Sequence, residues 1–288
     1  MTKPLHGDSY PPERLDLIRS TCLYLATKLG DLLEDVVVVG GLVPSLLAEQ
    51  MSKESRLDLH VGTLDLDLGL SVAVLDGQRY HAIRERLVLA GFEQDKNDQG
   101  NKTSQRWRST EHPLATVDFL IGPPYLPARG GDIQHLSSDF AAIVTPGLDL
   151  AFIDRSLIPL QGQTLQSEVA TRSIWVCGPG AFIVLKALAF GYRGENKDAY
   201  DLYYVLKYHG GGLMDIASRI SAFGPHAASQ EAVRILRDDF CDIDRTGPRR
   251  VAEFLAHGPD DEIQRDVVGH VVRLLSGLTA PSPDERGP

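Results

Sequence analysis

Cysteine is scarce in this chain: Cys22, Cys177 and Cys241 are an odd, widely spaced set with no CxxC pair. Such a set builds neither a disulfide framework nor a zinc knuckle. Long apolar runs are missing too. No stretch approaches the roughly 20 residues of a membrane span, and the opening MTKPLHGDSYPPERLDL lacks the apolar centre of a signal peptide. The expectation is a cytoplasmic protein with no membrane partner. The turn GGLVPS has neither the Gly-Lys-Ser/Thr of a P-loop nor the third glycine of a dinucleotide-binding turn. Nine histidines are scattered without a ligand spacing and read as surface or packing residues. Basic residues are in deficit, 29 Lys and Arg against 39 Asp and Glu, giving a formal charge of −10. That balance repels a polyanion unless basic residues gather locally.

What is present begins at Val36. The apolar run Val36 to Val39 is followed by Gly40 and Gly41 and then by a short helix-like stretch, an arrangement that turns backbone N–H groups toward an anion. Further on, Leu64, Leu66, Leu68, Leu70, Val72 and Val74 alternate with Thr63, Asp65, Asp67, Gly69, Ser71 and Ala73. In a strand that spacing puts Asp65 and Asp67 on one face. Paired carboxylates repel unless a cation lies between them, which makes Mg²⁺ the natural third party. An edge strand with two solvated aspartates is the competing account. Asp118 projects in the same way from a second apolar strand, Ala115 to Ile121, and three such carboxylates suit two Mg²⁺ ions at a phosphoryl centre. As a strand-end residue beside Gly122 and Pro123 it needs no ligand.

A second constellation lies in KALAFGYRGENKDAYDLYYVL, residues 186 to 206. Lys186 and Arg193 are seven apart and share a helix face that suits a triphosphate. Gly191 and Gly194 mark the end of that helix, and Asn196 is placed to cap the next, with Asp198 and Asp201 on one side of its first turns. The macrodipole alone favours acidic residues there. A lysine inside FIVLKALAF, by contrast, requires a partner or a route to solvent. Two basic groupings offer local patches for nucleic acid: Lys102, Arg106 and Arg108 around Trp107, and Arg245, Arg249 and Arg250. KTSQRWRS is, however, an alternating strand pattern in its own right, and a solvated hairpin with one buried tryptophan is the favoured account of it.

The glycine pair, the DxD strand, the later Asp118 and the Lys186 to Leu206 block, in that order, resemble the nucleotidyltransferase superfold, and within it the AbiEii/AbiGii-type toxins, including the MenT-like group. The resemblance runs from about Val36 to Leu206. It implies an α/β fold, a nucleotidyltransferase-like mixed sheet with flanking helices, followed by a C-terminal helical domain and with the active site in the cleft between them. It further implies transfer of a nucleoside monophosphate from an NTP, with Asp65, Asp67 and Asp118 as metal and catalytic carboxylates. Gly40 and Gly41 would hold phosphate, and Lys186, Arg193, Asp198 and Asp201 would line the nucleotide pocket, Lys186 also serving catalysis. The implied cofactor is Mg²⁺, the implied acceptor the 3′ end of tRNA, and the implied partner a cognate antitoxin. Gly41 departs from the commoner Gly-Ser pair, whose serine hydroxyl meets a phosphate. A protein or small-molecule acceptor for the same chemistry, and a non-catalytic nucleotide-binding module, are the rival readings.

Periodicity places helices at Glu13 to Lys28 and Gln78 to Ala90, and strands at Phe92 to Glu93, Lys102 to Thr110 and Ala115 to Ile121. Further strands are expected between Ile133 and Val176, including LDLAFIDRSLIPL. Six helices follow Gly180. The expected boundaries are 1–178 for the α/β domain, 179–279 for the helical domain and 280–288 for a disordered tail.

Overall fold

The structure is a computed structural model that describes residues 4–48, 60–71, 77–123 and 130–279. Val72 and Val74, and the tail beyond 279, lie outside the described residues. The described chain divides into two compact units. One holds Tyr10–Leu46 and His60–Gly178; the other holds residues 4–9, 47–48 and 179–279. Together they form an α/β protein with a nine-stranded mixed sheet and, among the described residues, ten α-helices. No described helix is long and apolar enough to cross a membrane.

The sheet belongs to the first unit. Its strands are β1 (Val36–Val39), β2 (Leu66–Leu70), β3 (Phe92–Lys96), β4 (Lys102–Ser109), β5 (Thr116–Ile121), β6 (Ile133–His135), β7 (Ala141–Val144), β8 (Arg155–Gln163) and β9 (Val169–Cys177). The main order is β3-β4-β5-β2-β1-β9-β8, with β7 pairing β5 and β6. All four valines of β1 are buried, as a central strand with both faces covered requires. On one face Val36, Val38, Leu66 and Leu68 meet Cys22, Leu25, Ala26 and Leu29 of α1 (Pro12–Leu29). Ile18, Cys22, Leu25 and Leu29 are buried at helical spacing and form the stripe that docks there. On the other face a Cβ at Gly69 would meet Val37 and Leu148 within 3.1 Å, so only glycine fits without a shift.

One expected strand is partly helical: Leu150–Ile153 forms a single turn, α4, before β8 begins at Arg155. The helix expected near Gln78 is α3 (Gly77–Leu89), and Val43–Ala48 forms the short α2. The second unit contains α5 (Pro179–Arg193), α6 (Asn196–Tyr208), α7 (Gly212–Ala222), α8 (Ala227–Phe240), α9 (Thr246–Ala256) and α10 (Asp261–Thr279). Its core is aromatic and closely fitted: Phe190 and Phe240 meet edge to face at 4.8 Å, and a Cβ at Gly191 would press to 2.6 Å from Ile235. Gly194 ends α5 at φ +64°, a conformation that glycine adopts without steric cost.

Candidate functional site

Strand register assembles the first cluster. β2 runs parallel to β5 with Asp67 opposite Asp118, and β4 runs antiparallel to β5 with Arg106 opposite Asp118. Residues directly opposite point to the same face, so Arg106, Asp118 and Asp67 form one transverse row. Asp65 lies two positions before Asp67, just ahead of β2. β4 pairs with β5 as far as Asp118, and β7 takes up pairing farther along at Leu120 and Ile121. The row therefore sits at the point on β5 where one neighbouring strand gives way to another.

Arg106 binds two of these carboxylates. Its Nε donates to Asp118 Oδ1 at 2.7 Å, and its Nη2 donates to Asp118 Oδ2 and to Asp65 Oδ2, the latter at 3.0 Å. The hydrogen bonds to Asp118 push the guanidinium well above its ordinary value against the opposing pull of burial, and the charges of Asp118, Asp65 and Asp67 add to the rise. A second guanidinium, Arg14 on α1, donates from Nη2 to Leu64 O at 3.1 Å. Burial lowers its pKa, with partial compensation from Asp65, and its buried Nη1 has no hydrogen-bond partner among the described residues.

The glycine pair lies against this row. Gly40 has φ +69°, and a Cβ there would fall 1.9 Å from Asp67 Oδ2. Any side chain at position 40 would displace the carboxylate. A Cβ at Gly41 would lie 2.6 Å from Thr63 Oγ1. A serine here would need the space that Thr63 fills, which accounts physically for the Gly-Gly departure from Gly-Ser. The Thr63 hydroxyl itself lies 3.2 Å from Asp65 O and 3.3 Å from Asp65 Oδ1. Ser45 is turned elsewhere: its Oγ is 3.3 Å from the buried His60 Nδ1, which also accepts the Gly62 N–H at 3.1 Å.

The second cluster lies inside the helical unit. Lys186 Nζ on α5 is 3.0 Å from Asp198 Oδ1 and 2.7 Å from Asp201 Oδ2, both on α6. Arg193 forms a two-pronged pair with Asp198, at 2.6 Å from Nε and 2.8 Å from Nη2. Lys197 completes the group by binding Asp201. Both aspartate side chains have no exposure, the two lysines are buried, and the Arg193 side chain is 41% exposed. Burial alone would lower the Lys186 pKa, yet Asp201 and Asp198 outweigh it and the net shift is upward. The sequence expectation of a phosphate-facing Lys186 thus needs correction at the level of contacts, because its ammonium is already enclosed by two carboxylates. Asn196 does not cap α6: Glu195 occupies the N-cap, while the Asn196 amide donates to Leu5 O at 2.9 Å and accepts from Arg250.

Several members of the basic groupings are also engaged. Arg108 pairs with Glu93 at 2.8 Å, Arg249 with Asp244 at 2.6 Å, and Trp107 is buried. Three contributors were not singled out in the sequence for these roles: Arg106 as the partner of the acidic row, Arg14 beside it, and Lys197. The last carries a readable signal, since Lys197 and Asp201 stand at i and i+4. No known family model matches this chain, and no curated protein matches it significantly.

Proposed function

We propose that the protein is a metal-dependent nucleotidyltransferase whose reacting centre is the carboxylate row. The observation that carries this reading is the register that sets Asp67 opposite Asp118, with Asp65 beside them and Gly40 moulded against Asp67. The donor set is all carboxylate oxygen, which suits a hard divalent cation such as Mg²⁺. Asp65 and Asp67 would hold the ion. Asp118 accepts from Arg106 with both oxygens and would serve alongside Arg106 as an outer ligand or as the acceptor of a hydroxyl proton. The bound ion would supply Lewis-acid stabilisation of phosphate charge.

In this account an acceptor hydroxyl attacks the α-phosphorus of an NTP and pyrophosphate leaves. Gly40 and Gly41 permit close approach of backbone to phosphate, and the Thr63 hydroxyl would take the part of the serine in the commoner Gly-Ser pair. Arg14 and Arg106 offset charge as the leaving group develops. Lys186, Asp198, Asp201 and Lys197 hold α5 and α6 together, and Arg193, the exposed member, is the one suited to a phosphate. The resemblance to AbiEii-type toxins supports the nucleotidyltransferase-like fold with a helical C-terminal domain, the tRNA 3′ end as acceptor and an antitoxin as partner. The net charge of −10 weighs toward the alternative of a protein or small-molecule acceptor.

An NTP labelled at the α-phosphate, mixed with protein, Mg²⁺ and a cell extract, should label an acceptor, whereas γ-label should not transfer. Loss of the labelled species on ribonuclease treatment assigns it to RNA, and loss on protease treatment assigns it to protein. No α-label transfer with any of the four NTPs would overturn the enzymatic reading in favour of a binding module.

A further inference from the structure

Histidines scattered in sequence converge at one place in the helical unit. His6 and His257 approach with ring centroids 4.1 Å apart at an interplanar angle of 66°. Each also has a carboxylate: His6 Nε2 lies 3.1 Å from Glu253 Oε1, and His257 Nε2 lies 3.1 Å from Asp8 Oδ2. Ligand atoms of His6, Asp8 and His257 all fall within 4.8 Å of one another. Metal–ligand bonds of about 2.0–2.2 Å would set such atoms roughly 3.4 Å apart, a contraction within reach of side-chain rotation.

We propose that this cluster is a binding site for a borderline-soft divalent transition ion, Zn²⁺ foremost, held by His6, Asp8 and His257, with Glu253 orienting the His6 ring. Four features favour it. Two imidazoles select for Zn²⁺-like ions over Mg²⁺, which prefers oxygen ligands. A carboxylate against a histidine ring is the usual outer partner that fixes a metal-binding imidazole. The donors come as two local pairs, His6 with Asp8 in the N-terminal segment and Glu253 with His257 at the end of α9, so one ion would join two parts of the unit. Finally, His257 adopts φ 60° and ψ 26°, a left-handed conformation uncommon for a non-glycine residue, while its N–H closes the helix on Glu253 O at 3.1 Å. That turn is what carries the ring off the helix toward the N-terminal segment. The ion would fasten residues 6–8 to α9 and stabilise the helical unit, since a ligand that binds only the folded state shifts unfolding by mass action.

The test is isothermal titration of chelator-treated full-length protein with Zn²⁺, alongside His6→Gln and His257→Asn; asparagine tolerates the left-handed turn, so that variant should keep its fold. One Zn²⁺ per chain is expected at this site, with affinity falling at least tenfold in each variant and the Zn²⁺-induced rise in melting temperature lost. Asp67→Asn should retain the binding, which separates this site from the carboxylate row. No Zn²⁺ uptake by the parent protein, or equal uptake by both histidine variants, overturns the proposal as adventitious surface binding.

Discussion

Two clusters of aspartate and basic side chains sit in this molecule, and they are built to opposite charge balances. On the sheet, three carboxylates gather about the single guanidinium of Arg106, with Arg14 near Asp65; Asp118 is buried, while Asp65, Asp67 and Arg106 are partly exposed. In the helical unit, three cations close on two fully buried carboxylates. An excess of partly hydrated negative charge leaves capacity for a further cation. A buried network in which each carboxylate already has two cationic partners does not, and removing one member strands the others in a low-dielectric interior. The same residue types thus serve different ends, and what separates them is burial and the count of partners rather than the motif.

The largest expected effect breaks the helical network. Asp198→Ala leaves Lys186 and Arg193 without their shared partner and should cost about 3–5 kcal/mol of stability, read by denaturant unfolding. A cost below about 1 kcal/mol would mean the network is solvated and free to serve a ligand. Next is Arg106→Met on the sheet. With both Asp118 oxygens deprived of their donor, stability in chelator should fall by about 1–3 kcal/mol, and Mg²⁺ should restore part of it by replacing the lost positive charge. If Mg²⁺ restores nothing, the row does not take a cation.

The smallest effect concerns acid. Asp266 accepts from Tyr203 Oη at 2.5 Å and from Lys207 Nζ at 2.8 Å, and these bonds outweigh burial to hold its pKa below the usual carboxylate value. Asp215, partnered by His209 and Arg219, is likewise depressed against the upward pull of burial. A depressed carboxylate contributes stability that is complete above its unfolded pKa, near 4, and is lost as pH falls through the folded value. Melting temperature should therefore decline below about pH 4, and the decline should be shallower in Asp266→Asn. Parallel curves for the two proteins would contradict the assignment.

The acidic strands were legible because a strand has period two: Asp67 and Asp118 stood out from apolar neighbours, and their elements formed at β2 and β5. Arg106 was visible only as a basic residue beside Trp107, since its role depends on a β4–β5 register that no local pattern encodes. The helices after Gly180 follow from apolar stripes of period 3.6, whereas LDLAFI, a short apolar run with no decisive period, suits strand and helix alike and forms a helical turn at Leu150–Ile153. A lysine in the apolar stretch around Lys186 needs a partner, yet sequence pattern does not distinguish a phosphate from Asp198 and Asp201. His6 and His257 carry no ligand spacing in the sequence, because their meeting arises from tertiary structure alone.

The account turns most directly on whether the acidic row takes a divalent ion, which electron paramagnetic resonance of Mn²⁺ titrated into the protein can read. The parent protein should bind Mn²⁺ that Mg²⁺ displaces, and Asp67→Asn should lose that displaceable ion while unfolding no more readily than the parent in chelator, since the change relieves carboxylate repulsion. Equal displaceable binding by parent and variant, or none by either, would contradict it.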